Sequence, residues 1–213
     1  MRVFFLDVGH RHKGEKLDPG AQHKGLSEIV LAGAYVQQAK LRLESLGYAV
    51  ELVPEGHYYE RHAWALKVAR ERYAGVRGLY LQCHINAHPN GTYALVRPDY
   101  RSKWGASAAR ILASAIDAAL PEVLSSRNDE LYPDFVTANK NGRSTPNTSM
   151  RSWWTRGWEC IDGIYASDTL CGAIIEPGFI DNAAHAALWT PEGLIRVGDA
   201  LAQGCAQWAQ SIA

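Results

Sequence analysis

The chain has 213 residues, 47% of them apolar and 21% charged, with 22 acidic side chains against 22 basic ones. That is enough for one well-buried core and marginal for two, in a composition ordinary for a folded domain. A formal charge of zero argues against a nucleic-acid surface, and no stretch approaches the roughly 20 apolar residues needed to cross a bilayer.

In chain order, residues 3–6 form a short apolar run that stops at Asp7-Val8-Gly9, which predicts a buried strand running into a loop. Residues 11–25 are polar and rich in Gly, Lys and His and read as loop. Ser27 is placed to cap a helix. Ile29, Val30, Ala32, Gly33, Val36, Ala39, Leu43 and Leu46 then recur at helical spacing, and Gly47 ends the element. Residues 48–53 read as a second strand. Residues 60–73 read as a second helix, with Ala63, Leu66, Ala69 and Tyr73 on one face. Residues 78–83 are nearly all apolar, as a central strand should be, and 93–96 read as a fourth strand. Residues 104–120 predict a helix stopped by Pro121. Residues 172–176 predict a buried strand closed by Pro177-Gly178, and 191–212 an amphipathic helix with Pro191 in its first turn.

Strands alternating with helices predict an α/β fold: a single domain over 1–213, with a mixed, mostly parallel twisted sheet flanked by helices on both faces. One region breaks the pattern. Residues 125–168 are polar, contain Asn139-Lys140-Asn141-Gly142 and carry Trp153, Trp154 and Trp158. A structureless loop this long in a compact domain is usually functional or mobile. It reads either as a lid with the tryptophans as its small core, or as the wall of a sugar-binding groove.

The four cysteines, Cys83, Cys160, Cys171 and Cys205, have no C-x-x-C spacing and a chain this size needs no disulfide staples, so free thiols in a reducing compartment are expected. The opening segment, Met1 to Asp7, lacks the apolar core and cleavage site of a signal peptide, so synthesis and folding in the cytoplasm are expected.

His10 follows the first strand, Glu28 opens the first long helix and His84 follows the central strand. In an open α/β sheet, residues just past the carboxyl ends of strands converge on one crevice. Two imidazoles and a carboxylate make a hydrolytic zinc shell with the fourth position left to water. A carboxylate at a helix N-terminus is stabilised as the anion. Glu28 therefore suits a metal but makes a weak base, and a second acid is required. Glu176 ends the buried run Ala173-Ile174-Ile175, where little else explains an acid, and its position suits proton transfer. Each of these residues alone has an ordinary reading. Of the eight histidines, most must be solvated or hydrogen-bonded, Glu28 alone is a favourable first-turn charge, and Glu176 alone begins a turn.

Taken together, these residues resemble the zinc-dependent N-acetylmuramoyl-L-alanine amidases of the type-3 amidase family, which includes bacterial autolysins and phage endolysins. The family's opening Asp-Pro-Gly-His-Gly-Gly is similar to Asp7-Val8-Gly9-His10, with Val8 for Pro and Arg11-His12 for the two glycines. Its Asp-x-Gly-Ala element resembles Asp18-Pro19-Gly20-Ala21, and Ser27-Glu28 follows. Its Ser-Ile-His-x-Asn-Ala is similar to Gln82-Cys83-His84-Ile85-Asn86-Ala87, and its Glu-x-Gly-Phe-x-x-Asn to Glu176-Pro177-Gly178-Phe179-Ile180-Asp181-Asn182.

Five elements in the same order span almost the whole chain. The resemblance implies zinc on His10, Glu28 and His84, a catalytic Glu176, and hydrolysis of the amide between N-acetylmuramic acid and L-alanine in peptidoglycan. Asn86, Arg11 and His12 are expected to contact substrate. The layout resembles a phage endolysin, made without a leader and acting on the cell wall after release, with no membrane insertion. The competing expectations are a zinc peptidase that cuts peptidoglycan cross-links and a non-catalytic wall-binding module. The tryptophan-rich segment is longer than the family pattern.

Overall fold

The computed structural model describes residues 2–13, 16–89, 94–98, 103–123, 164 and 167–212. Its centre is a five-stranded sheet built from β1 (Val3–Val8), β6 (Ala49–Leu52), β7 (Gly78–Cys83), β8 (Leu95–Pro98) and β9 (Leu170–Glu176), in the spatial order β6-β1-β7-β9-β8. The first four in that order run parallel and β8 is an antiparallel edge. β1, β7 and β9 are buried on both faces, which is why they read as continuous apolar runs rather than alternating ones.

The pleat sorts these strands into two cores. Phe4, Leu6 and Val8 join Leu79, Leu81, Cys83, Cys171, Ala173 and Ile175 on one face. That face is covered by α1 (Glu28–Ser45), α3 (Lys103–Ala119) and α4 (Pro191–Ser211). Val3, Phe5, Tyr80, Leu170 and Ile174 point the other way, against α2 (Tyr58–Arg72). Helices thus flank both faces, as the sequence predicts.

The helix ends follow from local chemistry. Ser27 holds the N-cap position of α1, but its hydroxyl donates to the Pro19 carbonyl at 3.4 Å instead of capping the helix. Gly47 takes φ +84, the left-handed turn that ends α1. Thr190 caps α4 by accepting from the Gly193 amide at 3.1 Å, with Pro191 in the first turn.

Two expectations are corrected. The segment 11–25, read as loop, carries three short strands that form two small antiparallel ladders, β2 (Arg11–Lys13) with β3 (Lys16–Asp18), and β4 (Gln22–His23) with the following β5 (Leu26–Ser27). Strands of two or three residues are too short to show an alternating pattern. The buried face of α2 is not Ala63, Leu66, Ala69 and Tyr73 but Arg61, His62, Ala65, Val68 and Ala69. Polar residues lead this face because an acid lies beneath it, in β1.

Cys83, Cys171 and Cys205 are buried free thiols; Cys160 lies outside the described residues. So does nearly all of the tryptophan-rich segment, including Trp153, Trp154 and Trp158. From 125–168 only Ile164, Ser167 and Asp168 are described, with Ile164 fully buried against the α2-side core.

α1 and α4 pack closely enough that a Cβ on Gly198 would stand 2.6 Å from the Tyr35 carbonyl oxygen. Gly198→Ala is therefore expected to cost about 1–3 kcal/mol by forcing the helices apart. Gly33, within α1, meets nothing within 4 Å, and Gly33→Ala should instead stabilise by about 0.5–1 kcal/mol. Thermal unfolding of the two variants should give shifts of opposite sign, at about 2–4 °C per kcal/mol for a domain of this size.

Candidate metal centre

The carboxyl ends of β1 and β7 and the start of α1 meet above the sheet. His10 follows β1 with φ +63, a left-handed conformation that costs a non-glycine residue about 1–2 kcal/mol. Two contacts hold this turn. The Gly9 amide donates to the Cys83 carbonyl at 2.7 Å, and Arg61 Nη2 donates to the His10 carbonyl at 3.0 Å. His84 follows β7, and its amide continues the ladder to the Ile175 carbonyl of β9 at 2.8 Å. From below, the Tyr35 hydroxyl of α1 donates to the His84 carbonyl at 2.8 Å.

Glu28 is 2% exposed and is fixed at both oxygens. Oε2 accepts from the Ala21 amide at 2.7 Å, and Oε1 from the Ile85 amide at 2.9 Å. That same Oε1 lies 3.0 Å from Nδ1 of His84 and 3.3 Å from Nε2 of His10. Burial would raise the Glu28 carboxyl, but hydrogen bonds to His10 and His84, with the charges of both rings, outweigh it and hold the group well below the usual carboxylate range. The imidazole rings stand edge to face, with centroids 4.8 Å apart at 85°.

Ligand atoms from His10, Glu28 and His84 all lie within 4.8 Å of one another, a group that can hold a metal ion. The donor chemistry fits. Two imidazoles and a carboxylate bring nitrogen and oxygen ligand atoms toward one point, and two of the three groups are nearly closed off from solvent. The side chains of Glu28 and His84 are 3% and 8% exposed, while that of His10 is 25% exposed. The centre is therefore open on the His10 side, as a site that keeps one coordination position for water must be.

Two glycines make the convergence possible. A Cβ on Gly9 would lie 2.2–2.5 Å from ring atoms of His84, and one on Gly20, at φ +68, would lie 2.4 Å from Glu28 Oε2 and 2.8 Å from His10 Cδ2. Asp18 accepts from the Gly20 amide at 3.2 Å with Oδ1, and its Oδ2 lies 3.1 Å from Nδ1 of His10.

Glu176 ends β9 opposite this cluster. The ladder pairs Cys83 with Ile175, so Glu176 comes level with His84, on the face of the sheet that Ile174 shares with α2. It is half-buried. Burial pushes the Tyr35 hydroxyl well above its ordinary range, and neighbouring Cys83, Glu28 and Glu176 push it the same way.

Asn86 is 5% exposed and forms an isolated parallel bridge with Phe179, with its Oδ1 accepting from the Ala87 amide at 2.8 Å. Arg11 and His12 lie in β2 beside the metal-facing loop, and their side chains fall outside the described ones. His62 and His185 are buried. The ring of His62 meets Tyr80 edge-on, and Nδ1 of His185 accepts from the Phe179 amide.

Sequence reasoning passed over Asp7, Arg61, Gln82 and Tyr35, which surround the centre. Asp7 and Gln82 carried a signal, as polar residues inside apolar strands, of the kind that drew attention to Glu176.

No protein-family model matches the chain, and no curated protein does. Solved structures do. Ami1, an N-acetylmuramyl-L-alanine amidase from Mycobacterium smegmatis, matches over 98% of this chain and 97% of its own, with a TM-score of 0.68 and 16% identity. Cwp6 from Clostridium difficile matches over 97% of this chain at a TM-score of 0.65 and 18% identity, and this chain spans 29% of its length. The catalytic domain of the CD27L endolysin, which targets Clostridia difficile, matches over 93% of this chain and 96% of its own, at a TM-score of 0.52 and 16% identity. The chain thus has the fold of the solved N-acetylmuramoyl-L-alanine amidases.

Proposed function

We propose that the chain is a zinc-dependent N-acetylmuramoyl-L-alanine amidase. The observation that carries this reading is the His10–Glu28–His84 group, set past the strand ends of a fold shared with amidases of that name. Two nitrogens and one oxygen form a donor set suited to zinc, and the opening beside His10 suits a hydrolytic rather than a structural site. A zinc ion held there supplies Lewis-acid polarisation of the scissile carbonyl and a water acidic enough to attack near neutral pH.

The chain's own residues supply the rest. Glu28 stays anionic and hydrogen-bonded at both oxygens, so it holds charge and does not move protons. Glu176 takes the proton from the attacking water on its carboxylate. It then delivers that proton to the amide nitrogen as the bond to the lactyl carbonyl breaks, leaving a free muramic carboxyl and a free L-alanine amine. Asn86 has one side-chain donor, Nδ2, still without an acceptor among the described residues, and this is the group we assign to substrate. Arg11 and His12, in β2 just past His10, are assigned to substrate contact as well. In this reading the substrate is peptidoglycan and the role lytic, as in the endolysin domain of like fold. Among the described residues, no helix is long and apolar enough to cross a membrane.

Digestion of purified peptidoglycan followed by mass spectrometry tests the reaction. New N-terminal L-alanine with intact cross-links is the expected product, and new amines within the cross-links would assign the chain to peptidases instead. Chelation should abolish the activity and lower the melting temperature, since an ion at 100 times its Kd contributes about 2.7 kcal/mol; added zinc should restore both.

Glu176→Ala should retain zinc while losing about 10²–10⁴-fold in rate; lysis at the parent rate with metal bound would remove Glu176 from the mechanism. Gly20→Ala would drive a methyl into Glu28 and His10, so its zinc-dependent thermal shift should vanish.

A further inference from the structure

Behind the three metal-facing groups runs a second line of polar side chains that the proposed hydrolysis does not touch. Asp7 of β1 and Gln82 of β7 are register partners, both fully buried on the face that α2 covers. Arg61, from the first turns of α2, donates to Asp7 Oδ1 with Nη1 at 2.5 Å. Asp7 Oδ2 accepts from the Tyr80 hydroxyl at 2.5 Å and from Gln82 Nε2 at 3.1 Å. The other end of the Gln82 amide reaches the metal-facing residues, with Oε1 lying 2.9 Å from Nε2 of His84.

Each link allows one orientation only. Asp7, paired with a guanidinium, is a carboxylate and accepts hydrogen bonds without donating any. Gln82 must therefore turn its NH2 toward Asp7 and its carbonyl oxygen toward His84. An amide oxygen also only accepts, so the proton between it and His84 sits on Nε2. With Nε2 protonated, the neutral ring that a metal ion requires carries its lone pair on Nδ1, which faces Glu28 Oε1 at 3.0 Å and the point where the ligand atoms converge.

We infer that Gln82, oriented by Asp7 and Arg61, is the positioning residue of the metal centre: it holds His84 as the Nε2–H tautomer so that His84 presents Nδ1 to the ion. The inference rests on the metal centre proposed above. Histidine ligands are commonly aimed by a partner on the far nitrogen, and loss of such a partner typically costs 10–100-fold in metal affinity. Here that partner is an amide whose own orientation is dictated by a buried ion pair, so the chain of constraint runs from α2, through two strands, to the ligand atom.

The direct test is NMR of zinc-loaded, ¹⁵N-histidine-labelled protein, in which two-bond proton–nitrogen correlations report the protonation of each ring nitrogen. His84 is expected to carry its proton on Nε2; a proton on Nδ1, with zinc on Nε2, would overturn the relay and leave the metal centre standing. A parent protein that took up no zinc would instead remove the centre itself.

Variants give a second reading. Gln82→Leu is expected to weaken zinc binding 10–100-fold in competition with a chromophoric chelator. Tyr80→Phe, which removes the other strand donor to Asp7 Oδ2 and leaves Gln82 in place, is expected to keep the parent affinity while lowering the melting temperature. Parent-like affinity in Gln82→Leu, or equal loss in both variants, would reduce Gln82 to an ordinary buried amide.

Discussion

Asp7 has no contact with solvent, and a buried carboxylate is tolerated only where donors replace the water it has lost. Those donors come from two other elements: Arg61 of α2, and Tyr80 and Gln82 of β7. Stripping water from such a pair costs several kcal/mol per ion, so its net contribution to stability is small. Its effect is registration. α2 must set its first turns over the ends of β1 and β7, and Arg61, once there, has N–H groups left for the carbonyls of Val8 and His10. The strained backbone of His10 is thus held by the same guanidinium that satisfies Asp7.

Close approach completes what registration begins. Gly9 lets the His84 ring lie against the turn that follows β1, and Gly20 lets the β3–β4 connection pass against Glu28 and His10. The amides of Ala21 and Ile85 then occupy the two Glu28 oxygens from opposite sides. A carboxylate held this way cannot swing, and its two imidazole neighbours keep it charged. Those properties suit a ligand and are wrong for a proton carrier, which must exchange its proton during turnover. The separation between a fixed acid at a helix start and a second acid at a strand end follows from where the chain places each.

The parts of the fold legible in the sequence are those whose signal is local. β7 and β9 announce themselves as nearly apolar runs, and the ends of α1 and α4 by Gly47 and Pro191. His10 and His84 drew notice because an open α/β sheet collects whatever follows its strands, and Glu28 because it opens the first long helix; their convergence is what the structure adds. The face of α2 was misread because an apolar pattern assumes apolar burial, whereas Arg61 and His62 are buried to meet Asp7 and Tyr80. In the sequence Arg61 beside Glu60 looks like an ordinary pair of surface charges. Gln82 and Asp7 were visible as polar residues in apolar strands, but their partnership is a matter of strand register between positions 75 residues apart, which no local pattern encodes.

The loops that carry His84 and Glu176 are tied to each other past the strand ends. After β7 and β9 end, the two chains stay joined. The Asn86 amide donates to the Gly178 carbonyl at 3.0 Å, and the Ile180 amide to the Asn86 carbonyl at 2.9 Å. Phe179, between them, is held in turn: its amide donates to Nδ1 of His185, and its carbonyl accepts from the Trp189 indole. The loops carrying His84 and Glu176 are therefore coupled mostly through backbone groups, which a side-chain substitution leaves in place. The side chain of Asn86 is free of that duty. One end is turned back onto the Ala87 amide and the other holds an unspent donor. The bridge would be made as well by any residue with an amide and a carbonyl, so the Asn86 side chain is left to other partners, as its proposed role in substrate contact requires.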